Sequence, residues 1–275
     1  MNGRRDPLLW VGASIVAFLA LVAILAPALA PYDPRMATGP SLTSPSAEHL
    51  LGTNDAGQDI FSQLVWGTRS SAIVGLLAAS LAVAVGAAVG ATSASLGGRT
   101  DLLTMRVVDL LLAVPALPLL ILIAALAGPT QATVIFVIAL AGWPGIARVV
   151  RSRALTLARS GYVEAARGFG APRTYVVARH VLPALGPLVA ASFVMWAATA
   201  VVLQAGLAFL GLSDPTEVSW GAVLYRALDS PGVYVTSQWL WWVLPAGLAI
   251  TVSAIGLAFI GVALEPRSNP RWGRT

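Results

Sequence analysis

The sequence contains no cysteine and no lysine. Without cysteine there is no disulfide framework and no thiolate metal site. Without lysine the chain cannot supply the phosphate-binding loop Gly-x-x-x-x-Gly-Lys-Ser/Thr, so any energy source for its work is a separate subunit or an ion gradient. Charge of either sign is scarce, at 11% of residues, and the 17 basic residues, all arginine, outnumber the 12 acidic ones. Histidine is nearly absent as well: His49 and His180 fall on opposite sides of the predicted membrane and cannot share one metal ion. No Ser/His/Asp or paired-carboxylate constellation stands out, which leaves no covalent chemistry for this chain.

What is present is apolar. Of 275 residues 57% are hydrophobic and the mean hydropathy is +0.79, far more apolar surface than a soluble domain can cover. A spanning helix needs about 20 mostly apolar residues, and six stretches qualify: 8–30, 70–96, 102–127, 130–147, 185–210 and 238–264. The first is too long for the core of a signal peptide. The fold class expected is an all-α integral membrane protein of six transmembrane helices. Arginine content alternates between the connecting segments. Arg4, Arg5, Arg99, Arg148, Arg151, Arg153, Arg159, Arg167, Arg173, Arg179, Arg267, Arg271 and Arg274 fall on one side. Arg35, Arg69 and Arg226, diluted by acidic residues, fall on the other. The positive-inside rule then predicts cytoplasmic termini. Residues 1–69 are expected to form a first helix plus an extracytoplasmic segment. Residues 70–275 should form a five-helix core with a cytoplasmic loop over 148–183.

That loop carries the informative pattern. Tyr162, Ala165, Ala166 and Phe169 recur at helical spacing along one stripe. Glu164 and Arg167, three residues apart, flank it and can pair weakly. Gly170 supplies a helix stop, and Pro172 suits the first position of a second helix that returns to the bilayer at Pro183. A loop that only sets topology has no use for a stripe of small apolar residues, and small alanines permit close docking on a partner surface. Two short helices tethered at both ends to the membrane could hardly enter a major groove, so no nucleic-acid partner is expected.

Four segments carry a resemblance. "EAARGFG" followed by "RHVLP" looks like the EAA loop of membrane subunits of binding-protein-dependent ABC importers. "HLLGTNDAGQDIFSQLVWGTRSS", "MRVVDLLLAVPALPLLI" and "FLGLSDPTEVSWG" resemble, in the same order, segments of the C-type permeases of the dipeptide/oligopeptide/nickel branch. The resemblance implies a type I importer permease for peptides, or for nickel or another small solute. It also implies the bacterial plasma (inner) membrane as the location, a homologous B-type permease, two P-loop ATPase subunits holding ATP and Mg²⁺, and an extracytoplasmic substrate-binding protein. By position, Tyr162, Glu164, Ala165, Ala166, Arg167, Phe169 and Gly170 correspond to the coupling helix that seats in the ATPase, with His180 and Pro183 marking the return. The chain departs from the family at Gln58 and Gln63, where Arg is favoured, at Gln204, where Glu is common, at Ala184 in place of Asn, and in a shorter tail.

An ion-coupled secondary carrier and a structural or scaffold membrane protein are the rival classes, and the carrier would show ionisable groups near the bilayer centre. Arg106 and Asp109, three residues apart in the third span, are the candidates and are expected to be a mutually paired structural couple. Pro115 and Pro118 should interrupt that span, and Gly142, Pro144 and Gly145 should break the end of the fourth. Gly75, Gly86 and Gly90 in the second span, and Gly247 and Gly256 in the sixth, should allow close helix packing. The aromatic run Gln238 to Trp242 is expected at an interfacial belt.

Overall fold

A computed structural model describes residues 6–268. Arg4, Arg5, Arg271 and Arg274 lie outside the described residues. The architecture is helical, and the elements begin where short polar side chains can cap them. α1 (Pro7–Leu29) starts with Pro7 after Asp6, whose carboxylate accepts the Leu8 N–H at 3.1 Å. α2 (Ile60–Leu96) is capped by Asp59, which accepts the Ser62 N–H at 2.7 Å. After Gly97 come α3 (Gly98–Ala113), α4 (Ala116–Ala127) and α5 (Gln131–Ala158), the last capped by Thr130. Two short helices, α6 (Gly161–Gly168) and α7 (Arg173–Val176), lead through a π-helical turn (Val177–Val181) into α8 (Leu182–Phe209). α9 (Trp220–Asp229), α10 (Gln238–Trp241) and α11 (Val243–Ser268) are the last elements among the described residues.

Among the described residues, five helical stretches are long and apolar enough to cross a membrane, and α3 with α4 makes a sixth, bent by 86° at Val114–Pro115. Packing decides what the bent pair does. Val74 and Ala78 of α2 cluster with Val134 and Val137 of α5. A side chain grown at Gly86 would meet the Trp143 carbonyl and Ile146, and one at Gly90 would meet Ala147 and Val150. The two helices therefore advance together and are parallel. Parallel neighbours require the chain between them to return along the whole bundle, so α3 and α4 together make the crossing. α8 runs the opposite way: Leu185 clusters with Ala91 and Val150, and Leu207 with Val74. α1 lies against α11, where Gly12 meets the Gly256 carbonyl and Phe259. Following these directions, α1 starts and α11 ends at the end of the bundle that carries α6. The segment 30–59 and α9 sit at the other end.

Several expectations are corrected. The second helix begins ten residues earlier than the apolar run suggests, because Asp59 caps it well outside the hydrocarbon; at about 1.5 Å per residue its 37 residues reach about 55 Å, beyond the ~30 Å core of a bilayer. One continuous helix thus runs through positions 69 and 70. Pro115 does break the third span, but Pro118 sits in the first turn of α4, where a missing N–H costs nothing. Gly142, Pro144 and Gly145 leave α5 unbroken. There Gly142 is the contact point for the Trp196 ring, which a Cβ would strike, and packing on α2 and α8 holds the helix through the proline. Gly256 packs against Ile15 as expected, whereas Gly247 faces open space. Trp242 is no belt residue. It is fully buried with Ile60, Val223, Ala227 and Ala246 in the small core under α9, while Trp239 is exposed.

Candidate functional site

The segment after α5 is built as a braced hairpin. α5 continues through Arg148, Arg151 and Arg153 before Arg159 ends it. Ser160 then adopts an extended conformation and its carbonyl accepts the N–H groups of Val163 and Glu164, which opens α6. Glu164 lies in the first turn and Arg167 in the last, the order that favours the helix dipole. Val163 is fully buried and anchors the helix. Termination follows from Gly170, at φ +82. Its N–H donates to the Arg167 carbonyl and the Ala171 N–H donates to the Ala166 carbonyl, the paired bonds of a Schellman cap. Pro172 comes one position before the expected first turn, its carbonyl accepting from Val176.

The return to the membrane is also legible in atoms. His180 lies 6.0 Å from Tyr162 of α6 and 5.9 Å from Tyr175 of α7, edge-on to both rings, and so ties the two short helices together. The backbone around it is wound as a π turn, with Leu182 N–H donating to the Val177 carbonyl. Pro183 explains the turn: it has no N–H to give to Arg179 and its ring would press on that carbonyl in a regular α-helix.

Of the stripe expected from periodicity, Tyr162 is 50% and Phe169 93% exposed. Ala165 is exposed and Ala166 half-buried; Glu164, Arg167 and Gly170 are exposed. The stripe therefore points away from the chain's own bundle. Val163, which sequence reasoning did not single out, is the residue that fixes it there. Its spacing of 13 and 18 residues from Val176 and Val181, both buried as well, gave no periodic signal.

Arg106 and Asp109 are not paired with each other. Arg148 of α5 reaches Asp109 at 2.5 Å, and no ion pair is recorded for Arg106 among the described residues. An i, i+3 pair on one helix contributes only about 0.2–0.5 kcal/mol, so the guanidinium of the neighbouring helix competes successfully. One turn toward the α6 end a stronger pair was missed altogether. Arg151 grips Asp101 through Nε and Nη2, both at 2.5 Å, and the Ser93 hydroxyl donates to the same carboxylate. Together these pairs hold α3 to α5.

The opposite end carries two polar clefts. One, of about 710 Å³, is lined by Arg35, Gln58, Gln63, Asp214, Glu217 and Arg226 among others. Gln58 stands at its centre: its side-chain carbonyl accepts from Arg226 at 2.6 Å and from Gln63 at 2.8 Å. The charge that the resemblance leads one to expect at Gln58 is thus supplied by α9. Asp214 joins this end to α5, accepting the N–H of Gln131 at 3.4 Å. Its carboxyl is held below the usual carboxylate range, first by the Thr216 hydroxyl, then by the backbone amides of Thr216 and Gln131 and by Arg35, against the opposing effect of burial. Beneath, His49 and Asp59 form a buried pair at 2.9 Å with Tyr32 against the imidazole. A second cleft, of about 630 Å³, opens beside the end of α1.

Known proteins share this sequence over nearly its whole length. The family described as binding-protein-dependent transport system inner membrane component matches residues 82–271, and the N-terminal TM domain of oligopeptide transport permease C matches residues 4–49. A probable D,D-dipeptide transport system permease protein of Escherichia coli (strain K12) is 32% identical over 273 residues, covering 98% of this chain and 90% of that one. A putative peptide transport system permease protein of Brucella suis biovar 1 is 37% identical over 269 residues, 95% and 87% of the two chains. A putative peptide permease protein of the same organism is 34% identical over 264 residues, 94% and 86%. With its six helical crossings, the chain belongs to the inner membrane components of binding-protein-dependent transport systems, as a multi-pass membrane permease of an ABC importer.

Proposed function

We propose that this permease carries peptides, with dipeptides the smallest, and that α6 is the helix through which partner ATPases drive it. The peptide class comes from the names of its relatives. The observation that carries the coupling role is the exposed stripe of Tyr162, Ala165 and Phe169 on a hairpin braced by Val163, His180 and the Gly170 cap. A ring left 93% exposed beyond the membrane is a knob for a partner groove. In this reading ATP and Mg²⁺ belong to two P-loop ATPase subunits, since the chain has no lysine for such a site, and this chain itself performs no catalysis. A homologous B-type permease completes the translocation path, and a substrate-binding protein delivers cargo at the α9 end. The α6 end and both chain termini face the cytoplasm, because the arginines gather there. Closure of the ATPases would then push α6 and, through α5 and α8, shift the population between inward- and outward-open states. A proton-coupled carrier is disfavoured by Asp101 and Asp109, each held by an arginine.

The test is copurification from bacterial membranes in mild detergent. Glu164→Arg combined with Phe169→Ala should remove ATPase subunits from the eluate, while the membrane-extracted yield of the permease stays unchanged. Undiminished recovery of the ATPases would overturn the coupling role.

A further inference from the structure

The second cleft adjoins the first, with which it shares Pro34, Arg35, Glu217 and Val218. It lies at the α9 end, between Pro27 and Ala30 at the end of α1, Trp66, Arg69 and Ile73 of α2, and Gln131 at the start of α5. Arg69 is exposed there with its guanidinium 5.8 Å from the Trp66 ring centroid, and no carboxylate pairs with it among the described residues. Anions are close by, but they are engaged. Glu217 is 3.8 Å from Arg35, and the Asp33 carboxylate accepts the Arg35 N–H at 2.8 Å.

Toward the bilayer from Arg69, α2 presents Ile73, Leu77, Ser80 and Ala84 at helical spacing, all exposed. Its neighbours explain why. Thr68, Ala72 and Leu76 line a small apolar cavity shared with Val16 and Leu19 of α1, Gly75 packs on Val201 of α8, and Val74, Ala78 and Gly86 meet α5. The face between them is uncovered. The result is an exposed, mostly apolar face along a spanning helix, running from the cleft that holds an unpaired cation and an indole.

We infer that this cleft and the face beside it hold a glycerophospholipid of the leaflet at the α9 end, its phosphate in the cleft on Arg69 and one acyl chain along Ile73 and Leu77. A guanidinium matches phosphate oxygens in a two-point, charge-assisted geometry. Trp66 belongs at the depth where headgroups meet hydrocarbon, and the acyl chain covers side chains that nothing in the protein covers. A peptide fits poorly, because its backbone N–H and C=O groups would find no partners along an apolar stripe. A partner helix would have to bring a carboxylate to Arg69.

The full chain, extracted from bacterial membranes with the subunits that accompany it, should retain phospholipid after detergent exchange when weighed by native mass spectrometry. Arg69→Ala should lower that occupancy by about tenfold or more, and Arg69→Lys should restore part of it. Ile73→Trp, which fills the cleft and keeps the guanidinium, should lower it too; unchanged thermal unfolding of both variants separates lipid loss from misfolding. Equal phospholipid in the wild type and Arg69→Ala, or none in either, would overturn the site. Since the chain has no cysteine, Leu77→Cys offers its sole thiol: labelling by a phosphatidylethanolamine with a thiol-reactive acyl chain supports the lipid, and crosslinking to another subunit by a photoreactive probe attached to that thiol refutes it.

Discussion

Single residues set the geometry of the hairpin for which a coupling role is proposed. Gly170 ends α6 at φ +82, a conformation in which a Cβ crowds the following carbonyl. Nothing lies within 4 Å of where that Cβ would be, so the cost of substitution is purely conformational. Gly170→Ala should therefore destabilise the hairpin by about 1 kcal/mol without any steric clash. Hydrogen exchange of the amides of 161–176 should quicken by roughly fivefold, while α2 and α8 keep their protection. Unaltered exchange there would mean that the cap contributes nothing to the hairpin. Val163 acts differently, by burial, and Phe169 by exposure, so neighbouring residues in one short helix hold opposite roles.

Between helices, the two arginine–carboxylate contacts on α3 are unequal. Asp101 and Arg151 are 16% and 29% exposed and make two parallel hydrogen bonds, with Ser93 as a third partner. Asp109 and Arg148 are about half exposed and share one. Charge-assisted bonds out of solvent contribute about 1.5–3 kcal/mol, exposed pairs under about 1. Asp101→Asn should accordingly lower the thermal unfolding midpoint of the purified protein more than Asp109→Asn. Asp101→Asn combined with Arg151→Gln should cost less than the sum of the single changes. A larger effect at Asp109 would reverse this ranking and reopen an intramembrane role for that carboxylate. The sequence made Asp109 conspicuous by its depth in an apolar run. It gave no sign of Asp101, whose partner lies 50 residues away on a helix that only the fold brings alongside.

For the whole molecule, the directions of the helices leave one choice open, which end faces the cytoplasm, and the proposed orientation rests on the arginine bias. Single cysteines placed at Ser213 and at Ser160 of this cysteine-free chain should react with an impermeant maleimide from opposite sides. In intact cells Ser213→Cys should label and Ser160→Cys should not, and the pattern should invert in inside-out vesicles. The reverse pattern would invert the topology.

Composition and hydropathy by themselves determined the membrane class, the number of crossings and the end at which the arginines collect, because a bilayer asks only for length, apolarity and charge bias. The EAA-like pattern located α6, since its helix stop and stripe are local features. Tertiary structure alone decided the rest. It set the parallel course of α2 and α5, which forces the bent α3–α4 pair to cross. It also exchanged Arg106 for Arg148 as the partner of Asp109, buried Trp242, and uncovered the face of α2 beneath Arg69. Each of these depends on which helices become neighbours, and neighbours are chosen by the fit of small residues such as Gly86, Gly90 and Gly142 to side chains distant in sequence.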